Sequence, residues 1–187
     1  TLDDDLEAPY VDITGTLDDE RIEPVFKIHS IHHRIDPIFH ALIPAEAEHK
    51  ALMGLPRAPT IKTAVSDVTE CHDVHMTEGG CGWLSAVVSI TPSAPGDGRR
   101  AIDAALAGHR SMKMVTIVNR DIDVSDPVRV EWAMMTRWQP DRDTVILSDQ
   151  KGSSLDPSRN PDGTTSKIGY DATLSPDTDP SPYISVQ

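Results

Sequence analysis

Two groups of charged residues in this chain have the types and the spacing that chemistry requires. Glu7 and Asp12 flank residues 8–11 near the N-terminus. Two carboxyl groups so close together can act as an acid–base pair when burial or a like charge keeps one of them protonated. Lys167 lies in the segment 166–173, where small neighbours let a phosphate approach the backbone and meet the ammonium group. Judged by local sequence alone, both groups could equally be solvent-exposed surface residues, because acidic runs and lysines in loops usually face water.

Three further polar clusters fit structural roles better than catalytic ones. They are the histidines His29, His32, His33 and His40, the group Cys71, His72, Asp73, His75 and Cys81, and the group Arg137, Asp141, Arg142 and Asp143. No carboxylate or cysteine is placed to complete a metal site with the four histidines, and the cysteine spacing of ten residues matches no zinc pattern. The arginines and aspartates lie where a helix would lead into a strand, and they fit a buried ion network.

The charge balance excludes some classes of partner. The chain has 30 acidic and 17 basic residues and a formal net charge of −13. Nucleic acids and anionic membranes select basic surfaces, so neither is expected as a partner. An acid-rich surface also suits a protein from a high-salt environment, and an ordinary acidic cytosolic protein is the alternative. A melting temperature that rises strongly with KCl would support the first source, and a constant one would support the second.

The ends of the chain and its cysteines bear on its compartment. The first residues are acidic rather than basic and then apolar, and no run of 18 apolar residues occurs, so neither a signal peptide nor a membrane span is expected. The chain begins with Thr1 rather than Met, and we expect that an upstream segment was removed. Two cysteines imply no disulfide framework and favour the cytoplasm.

Hydrophobic periodicity predicts a layered α/β organisation after an irregular, acidic start. The predicted strands are 10–14, a hairpin of 24–34 and 38–43, then 73–76, 83–90, 112–118 and 144–147; the predicted helices are 44–55, 60–68, 98–108 and one that begins at Asp126-Pro127. The β-α-β-α-β order of residues 83–148 predicts a sheet that is at least partly parallel. The chain after Lys151 is expected to be loop-like, and the last 14 residues to pack on a neighbour or to be disordered.

Taken together, the segments match an ordered series of motifs along the chain. The matching segments are residues 7–12, 24–39, 73–80, 86–90, 113–124, 131–145 and 166–173. In order and spacing they resemble the C-terminal part of the UbiD family of decarboxylases, which use prenylated FMN. The resemblance implies an α/β protein, α+β overall. Residues 1–56 would end a flavin-binding split β-barrel, residues 57–173 would form an α/β domain with a mixed, partly parallel sheet, and residues 174–187 would be a Pro-rich tail.

The resemblance also implies roles for three residues. Glu7 falls on a carboxylate that holds and tunes a catalytic Arg, and Asp12 falls on the proton donor that replaces the lost CO2. Lys167 falls on the Lys that contacts the cofactor phosphate. The family's Gly-Pro-Phe-Gly is Ala-Pro-Tyr-Val at residues 8–11, so two glycines are lost and Val11 adds bulk beside Asp12.

Family members are much longer than this chain, and the missing part bears on function. Their N-terminal half carries the catalytic Arg, the Mn2+ ligands and most flavin contacts, so we expect Mn2+, with K+ as a possible second ion, to be held outside this chain. The implied function is reversible decarboxylation of an aromatic, heteroaromatic or α,β-unsaturated carboxylic acid, by a subunit or fragment that the N-terminal half completes. The implied C-terminal domain also predicts a homo-oligomer. The alternatives are a non-catalytic assembly module with the same fold and, last, a metal-dependent hydrolase that uses the histidines.

Overall fold

The computed structural model describes residues 3–184, so residues 1–2 and the last three residues of the predicted tail lie outside the described part. The elements in chain order are β1 (Asp4–Glu7), β2 (Arg21–Pro24), α1 (Ala47–Gly54), α2 (Arg57–Ser66), β3 (Glu70–Met76), β4 (Ser85–Thr91), α3 (Asp97–Gly108), β5 (Met114–Asn119), α4 (Pro127–Arg137), β6 (Thr144–Lys151), β7 (Thr164–Ala172) and a short 3-10 helix (Ser181–Tyr183). No helix among residues 3–184 is long and apolar enough to cross a membrane.

A five-stranded mixed sheet with the order β3-β4-β5-β7-β6 forms the body of the fold. β4 pairs with β5 and β5 with β7 in parallel, whereas the edge strands β3 and β6 run antiparallel to their neighbours. The mixed α/β class and the partly parallel sheet that the sequence predicts are therefore confirmed. β1 and β2 form a separate antiparallel pair.

Side chains on the two faces of the central strands enter two different cores. Val88 and Ile117 pack with α2 and α3 on one face of the sheet. Val87 and Val118, their neighbours in the chain, pack with α4 on the opposite face. This alternation follows from the period of two in a strand, and burial of both faces explains the nearly continuous apolar runs of β4 and β5.

α4 begins as its sequence predicts. The Asp126 carboxylate accepts hydrogen bonds from the backbone N–H groups of Val128 (2.9 Å) and Arg129 (3.3 Å), and Pro127 occupies the first turn, where its missing N–H costs nothing. The predicted helices 44–55 and 60–68 are present as α1 and α2, with shifted bounds.

β7 corrects the expectation of a loop-like chain after Lys151. Residues Thr164–Ala172 form the nine-residue strand between β5 and β6. The strand was missed because it contains few apolar residues. Its inward positions are instead occupied by Thr165, Lys167 and Gly169, which are buried.

The hairpin predicted for residues 24–34 and 38–43 is wrong for the described structure. Only β2 reaches Pro24, and residues 25–43 form no strand there. Their apolar side chains face outward: Phe26 is 82% exposed, Phe39 is 87% exposed, and Ile35 is fully exposed. A strand needs a neighbour to satisfy its backbone hydrogen bonds, and no described strand lies beside this segment. The predicted strand 10–14 is likewise absent apart from one isolated bridge between Val11 and Leu17.

Gly169 in β7 should be intolerant of any side chain. A Cβ atom at this position would clash with the Ile102 side chain on α3, so only glycine lets the helix approach the sheet. We expect Gly169→Ala to lower the free energy of unfolding by about 1–3 kcal/mol, as overpacking of a core does. Gly79→Ala is the matched control, because nothing lies within 4 Å of a Cβ atom there. Equal urea midpoints for the two variants would contradict this packing argument.

Candidate active site

Asp12 is held in a tight turn that follows β1. Its carbonyl accepts a hydrogen bond from Gly15 N–H (2.8 Å), and its own N–H donates to the Thr16 carbonyl (3.2 Å). Gly15 has φ +75°, a conformation that favours glycine, so the turn depends on this residue. Glu7 is the last residue of β1 and lies opposite Arg21 in β2. Both carboxylates therefore belong to the β1–β2 segment, with Glu7 at the end of β1 and Asp12 in the connection that follows it.

Tyr10 stands between Glu7 and Asp12 in the sequence, and the charges of both carboxylates act on its phenol. The pKa of its phenol is raised above the usual value, first by partial burial and then by the negative charges of Asp12 and Glu7. A hydrogen bond to the Asp12 carboxylate adds to the shift. The sequence comparison treated Tyr10 only as a replacement for phenylalanine, whereas the structure gives its hydroxyl a place beside Asp12.

Asp12 lines a cavity of about 300 Å3 between the turn at residues 12–19 and the connection between β6 and β7. We call it the acidic cavity, because Asp12, Asp18, Asp19 and Asp156 all contribute to its wall. Arg159 pairs with Asp19 at 2.7 Å and joins the two walls. The cavity is therefore formed jointly by the N-terminal segment and the β6–β7 connection.

Lys167 lies away from this cavity, inside the sheet. Its residue is 6% exposed, and its ammonium group donates a hydrogen bond to the Arg110 carbonyl at 2.6 Å. Burial lowers the pKa of Lys167. Within the described chain it forms no ion pair with a carboxylate, so two of its three N–H donors are left for another acceptor.

A second cavity, of about 780 Å3, shares Ser154, Leu155 and Arg159 with the acidic cavity. We call it the cationic pocket, and its characteristic side chains are Arg57, Trp83, His109, Arg110 and Lys151. None of these residues was singled out from the sequence as functional. They come from four separate parts of the chain, so no local motif could have indicated them.

Trp83 organises the cationic pocket. The Arg57 guanidinium lies 4.7 Å from the centroid of the Trp83 ring, and the His109 ring meets it edge-on with centroids 4.6 Å apart. The indole N–H donates to the Ser153 hydroxyl at 3.1 Å. The His109 pKa is lowered to about 4, first by burial and then by the charges of Arg57 and Lys167.

The other polar clusters form no metal site. No group of three or more His, Cys, Asp or Glu side chains among residues 3–184 could hold a metal ion. Cys71 and Cys81 are free thiols. Buried Arg137 pairs with Asp121 at 2.6 Å and with Asn119 at 3.2 Å, so its partners are not the aspartates that follow it in sequence.

Two family models cover the chain almost completely. Residues 50–172 match the 3-octaprenyl-4-hydroxybenzoate carboxy-lyase C-terminal domain of UbiD, and residues 2–47 match the Rift-related domain of the same family. The chain therefore belongs to the UbiD family, as the motif series indicates.

Relatives and solved structures agree with this assignment. The chain is 49% identical over 168 residues to the anhydromevalonate phosphate decarboxylase of Methanothermobacter thermautotrophicus and 50% identical over 167 residues to that of Methanosarcina mazei, covering 89% of this chain and 40% of each relative. The UbiD-class enzyme HmfF from Pelotomaculum thermopropionicum, solved with FMN, superimposes with a TM-score of 0.93 at 32% identity, over 98% of this chain and 41% of that one. The chain thus spans about two fifths of the length of these proteins.

The low pKa of His109 has a consequence for stability. Its pKa in the folded chain is about 4, below the ordinary 6.5, so between these values the unfolded chain binds more protons than the folded one. The free energy of unfolding should therefore fall as the pH drops from 6.5 towards 4. We expect His109→Gln to reduce this fall, and His29→Gln, at an exposed site, to leave it unchanged. Urea unfolding at pH 7 and at pH 4.5 measures the effect, and equal pH dependence in all three proteins would contradict it.

Proposed function

We propose that this chain is part of a UbiD-type carboxy-lyase that reversibly decarboxylates a small unsaturated carboxylic acid with prenylated FMN. The observation that carries the proposal is the joint match to the Rift-related and C-terminal domains of this family of carboxy-lyases. Because the chain spans only about two fifths of its relatives, the activity would belong to the protein that includes the remaining part.

Asp12 is the proposed proton donor. Decarboxylation breaks a carbon–carbon bond, CO2 leaves, and the electron pair stays on the substrate carbon, which must then receive a proton. Asp12 is suited to this step because it lines a cavity yet is only half-buried, so it can regain its proton from water. The Tyr10 hydroxyl would orient its carboxyl group. Glu7 would hold and tune an Arg supplied by the remaining part of the protein.

The cofactor would be held in part by Lys167. Prenylated FMN, when bound, supplies the electron sink that stabilises the carbanion-like centre left by CO2. Lys167 fits a phosphate because it is a buried ammonium group with two free donors and no carboxylate partner among the described residues. Mn2+, and K+ if it is used, would have ligands in the remaining part of the protein.

The substrate class can be narrowed by the relatives. The two relatives from Methanothermobacter thermautotrophicus and Methanosarcina mazei act, by their names, on anhydromevalonate phosphate. Loss of water from a hydroxy acid leaves a carbon–carbon double bond, so this compound is a phosphorylated member of the unsaturated acids. We propose a phosphorylated unsaturated aliphatic acid as the substrate here, in preference to an aromatic or heteroaromatic one.

The partner would be the N-terminal half of a UbiD protein, on the same or a second polypeptide. Residues 25–43 support this, because their exposed apolar side chains and unpaired backbone need a covering sheet. We further propose that residues 1–56 complete the flavin-binding barrel, that residues 57–173 form the C-terminal domain with residues 174–187 as its tail, and that this domain forms a homo-oligomer in the cytoplasm.

Replacement of Asp12 tests the proposed chemistry. In the complete flavin-loaded protein, Asp12→Asn should lower kcat for CO2 release by about 10²- to 10⁴-fold, because general acid catalysis is lost. The flavin absorbance should persist, since Asp12 is not assigned to the cofactor. Asp4→Asn is the control, because this carboxylate is exposed on β1.

Two outcomes would count against this account. Full turnover by Asp12→Asn would exclude Asp12 as the proton donor. No CO2 release and no flavin binding by the unaltered complete protein would instead favour the non-catalytic assembly module.

A further inference from the structure

The cationic pocket has a surplus of positive charge in a strongly acidic protein. Its wall holds the cationic side chains Arg57, Arg110, Lys151 and Arg159 and the carboxylates Asp149 and Asp162. Arg159 is paired with an aspartate, but the other three cations form no ion pair within residues 3–184. The chain has a net charge of −13, so acidic side chains that could pair with them are abundant elsewhere.

Among the described residues, neither carboxylate of the pocket forms an ion pair with these cations. Asp162 already accepts hydrogen bonds from the Thr164 N–H (2.9 Å) and the Thr164 hydroxyl (2.7 Å). Asp149 forms no ion pair among the described residues. The cationic side chains are therefore available to a bound anion.

Two polar atoms of the pocket are buried without a partner. They are His109 Nε2 and Arg57 Nε. Arg57 Nε carries a hydrogen, so an acceptor oxygen of a ligand would satisfy it, whereas the neutral His109 ring donates to the Trp83 backbone and has only a lone pair at Nε2.

Two side chains of the pocket, those of Arg57 and His109, are held in place before any ligand binds. Trp83 fixes the Arg57 guanidinium on its face and the His109 ring at its edge, and its N–H anchors Ser153 on the opposite wall. Such preorganisation reduces the entropy lost on binding.

A phosphomonoester fits this pocket better than a simple carboxylate. Arginines recognise the oxygen atoms of phosphate through paired N–H donors, and several cations match the charge of a dianion. A volume of about 780 Å3 lies in the range of small-molecule sites and exceeds what one phosphate ion needs. The pocket also shares a wall with the acidic cavity, where Asp12 lies.

We propose that the cationic pocket binds a phosphomonoester dianion through Arg57, Arg110 and Lys151. Under the proposed function, two molecules carry such a group: the flavin and the substrate. The identification of these two sources rests on the proposed function. Phosphate binding itself does not depend on catalysis.

Calorimetric titration of inorganic phosphate into the complete, flavin-free protein tests the binding directly. Arg110→Gln combined with Lys151→Gln removes two exposed charges that pack against no core. We expect phosphate to bind this variant about 10- to 100-fold more weakly, as the loss of charged hydrogen bonds predicts. Arg99→Gln combined with Lys62→Gln is the matched control, because both side chains are exposed outside the pocket, and its affinity should stay at the unaltered value. Equal phosphate affinity in all three proteins, or no measurable affinity in any of them, overturns the proposal.

Two further measurements on the same variants identify the source of the phosphate. If the flavin supplies it, the dissociation constant of FMN rises by the same factor in the pocket variant. If the substrate supplies it, KM of the pocket variant for anhydromevalonate phosphate rises while kcat and flavin content are unchanged. The reason is that the lost contacts stabilise the bound substrate and the transition state equally. A pocket variant that changes neither quantity overturns the assignment. If the unaltered protein binds phosphate but releases no CO2, the proposed function fails while the phosphate site stands.

Discussion

The position of β7 between β5 and β6 is the constraint on which most of this structure depends. One nine-residue strand pairs with neighbours on both sides and carries three residues with distinct tasks. Gly169 lets α3 approach the sheet, and the Asp171 carboxylate lies against Gly98 at the start of that helix. Lys167 reaches the carbonyl of Arg110, in the loop that follows α3. The segment 166–173, first notable for one possible phosphate ligand, therefore fixes the sheet, the helix and the cationic pocket together.

The same strand explains why the two cavities adjoin. The connection from β6 to β7 forms one wall of both the acidic cavity and the cationic pocket. Lys113 pairs with Asp156 in this connection at 2.8 Å, and Arg159 ties it to Asp19 in the N-terminal segment. The proposed proton donor and the proposed anion site thus adjoin one loop, whose charged contacts reach both parts of the chain.

The sequence predicted the elements whose stability is local or whose burial is complete. The Asp126 cap defined the start of α4, and the apolar runs of β4 and β5 indicated central strands. β7 escaped prediction because its inward positions carry a threonine, a lysine and a glycine, whose burial depends on contacts distant in sequence. The segment 25–43 was misjudged for the opposite reason: its alternation is that of a strand, but a strand forms only beside a partner.

The residues of the candidate site were likewise only partly predictable from the sequence. Glu7, Asp12 and Lys167 could be proposed because they belong to contiguous motifs of the family. Arg57, His109 and Arg110 could not, because the pocket that unites them exists only after α2, α3 and the β6–β7 connection have packed. Tyr10 was visible in its motif, but only the structure shows that the charges of both carboxylates act on its phenol.

The central claim is that this chain works as one portion of a flavin-dependent UbiD protein. Native mass spectrometry combined with an absorbance spectrum of the protein from its own cells tests it most directly. The account predicts that these residues occur joined to, or in complex with, an N-terminal UbiD half, at a mass well above 20.4 kDa and with flavin absorbance. A homogeneous 20.4 kDa species, or a multiple of it, without flavin absorbance would contradict the account.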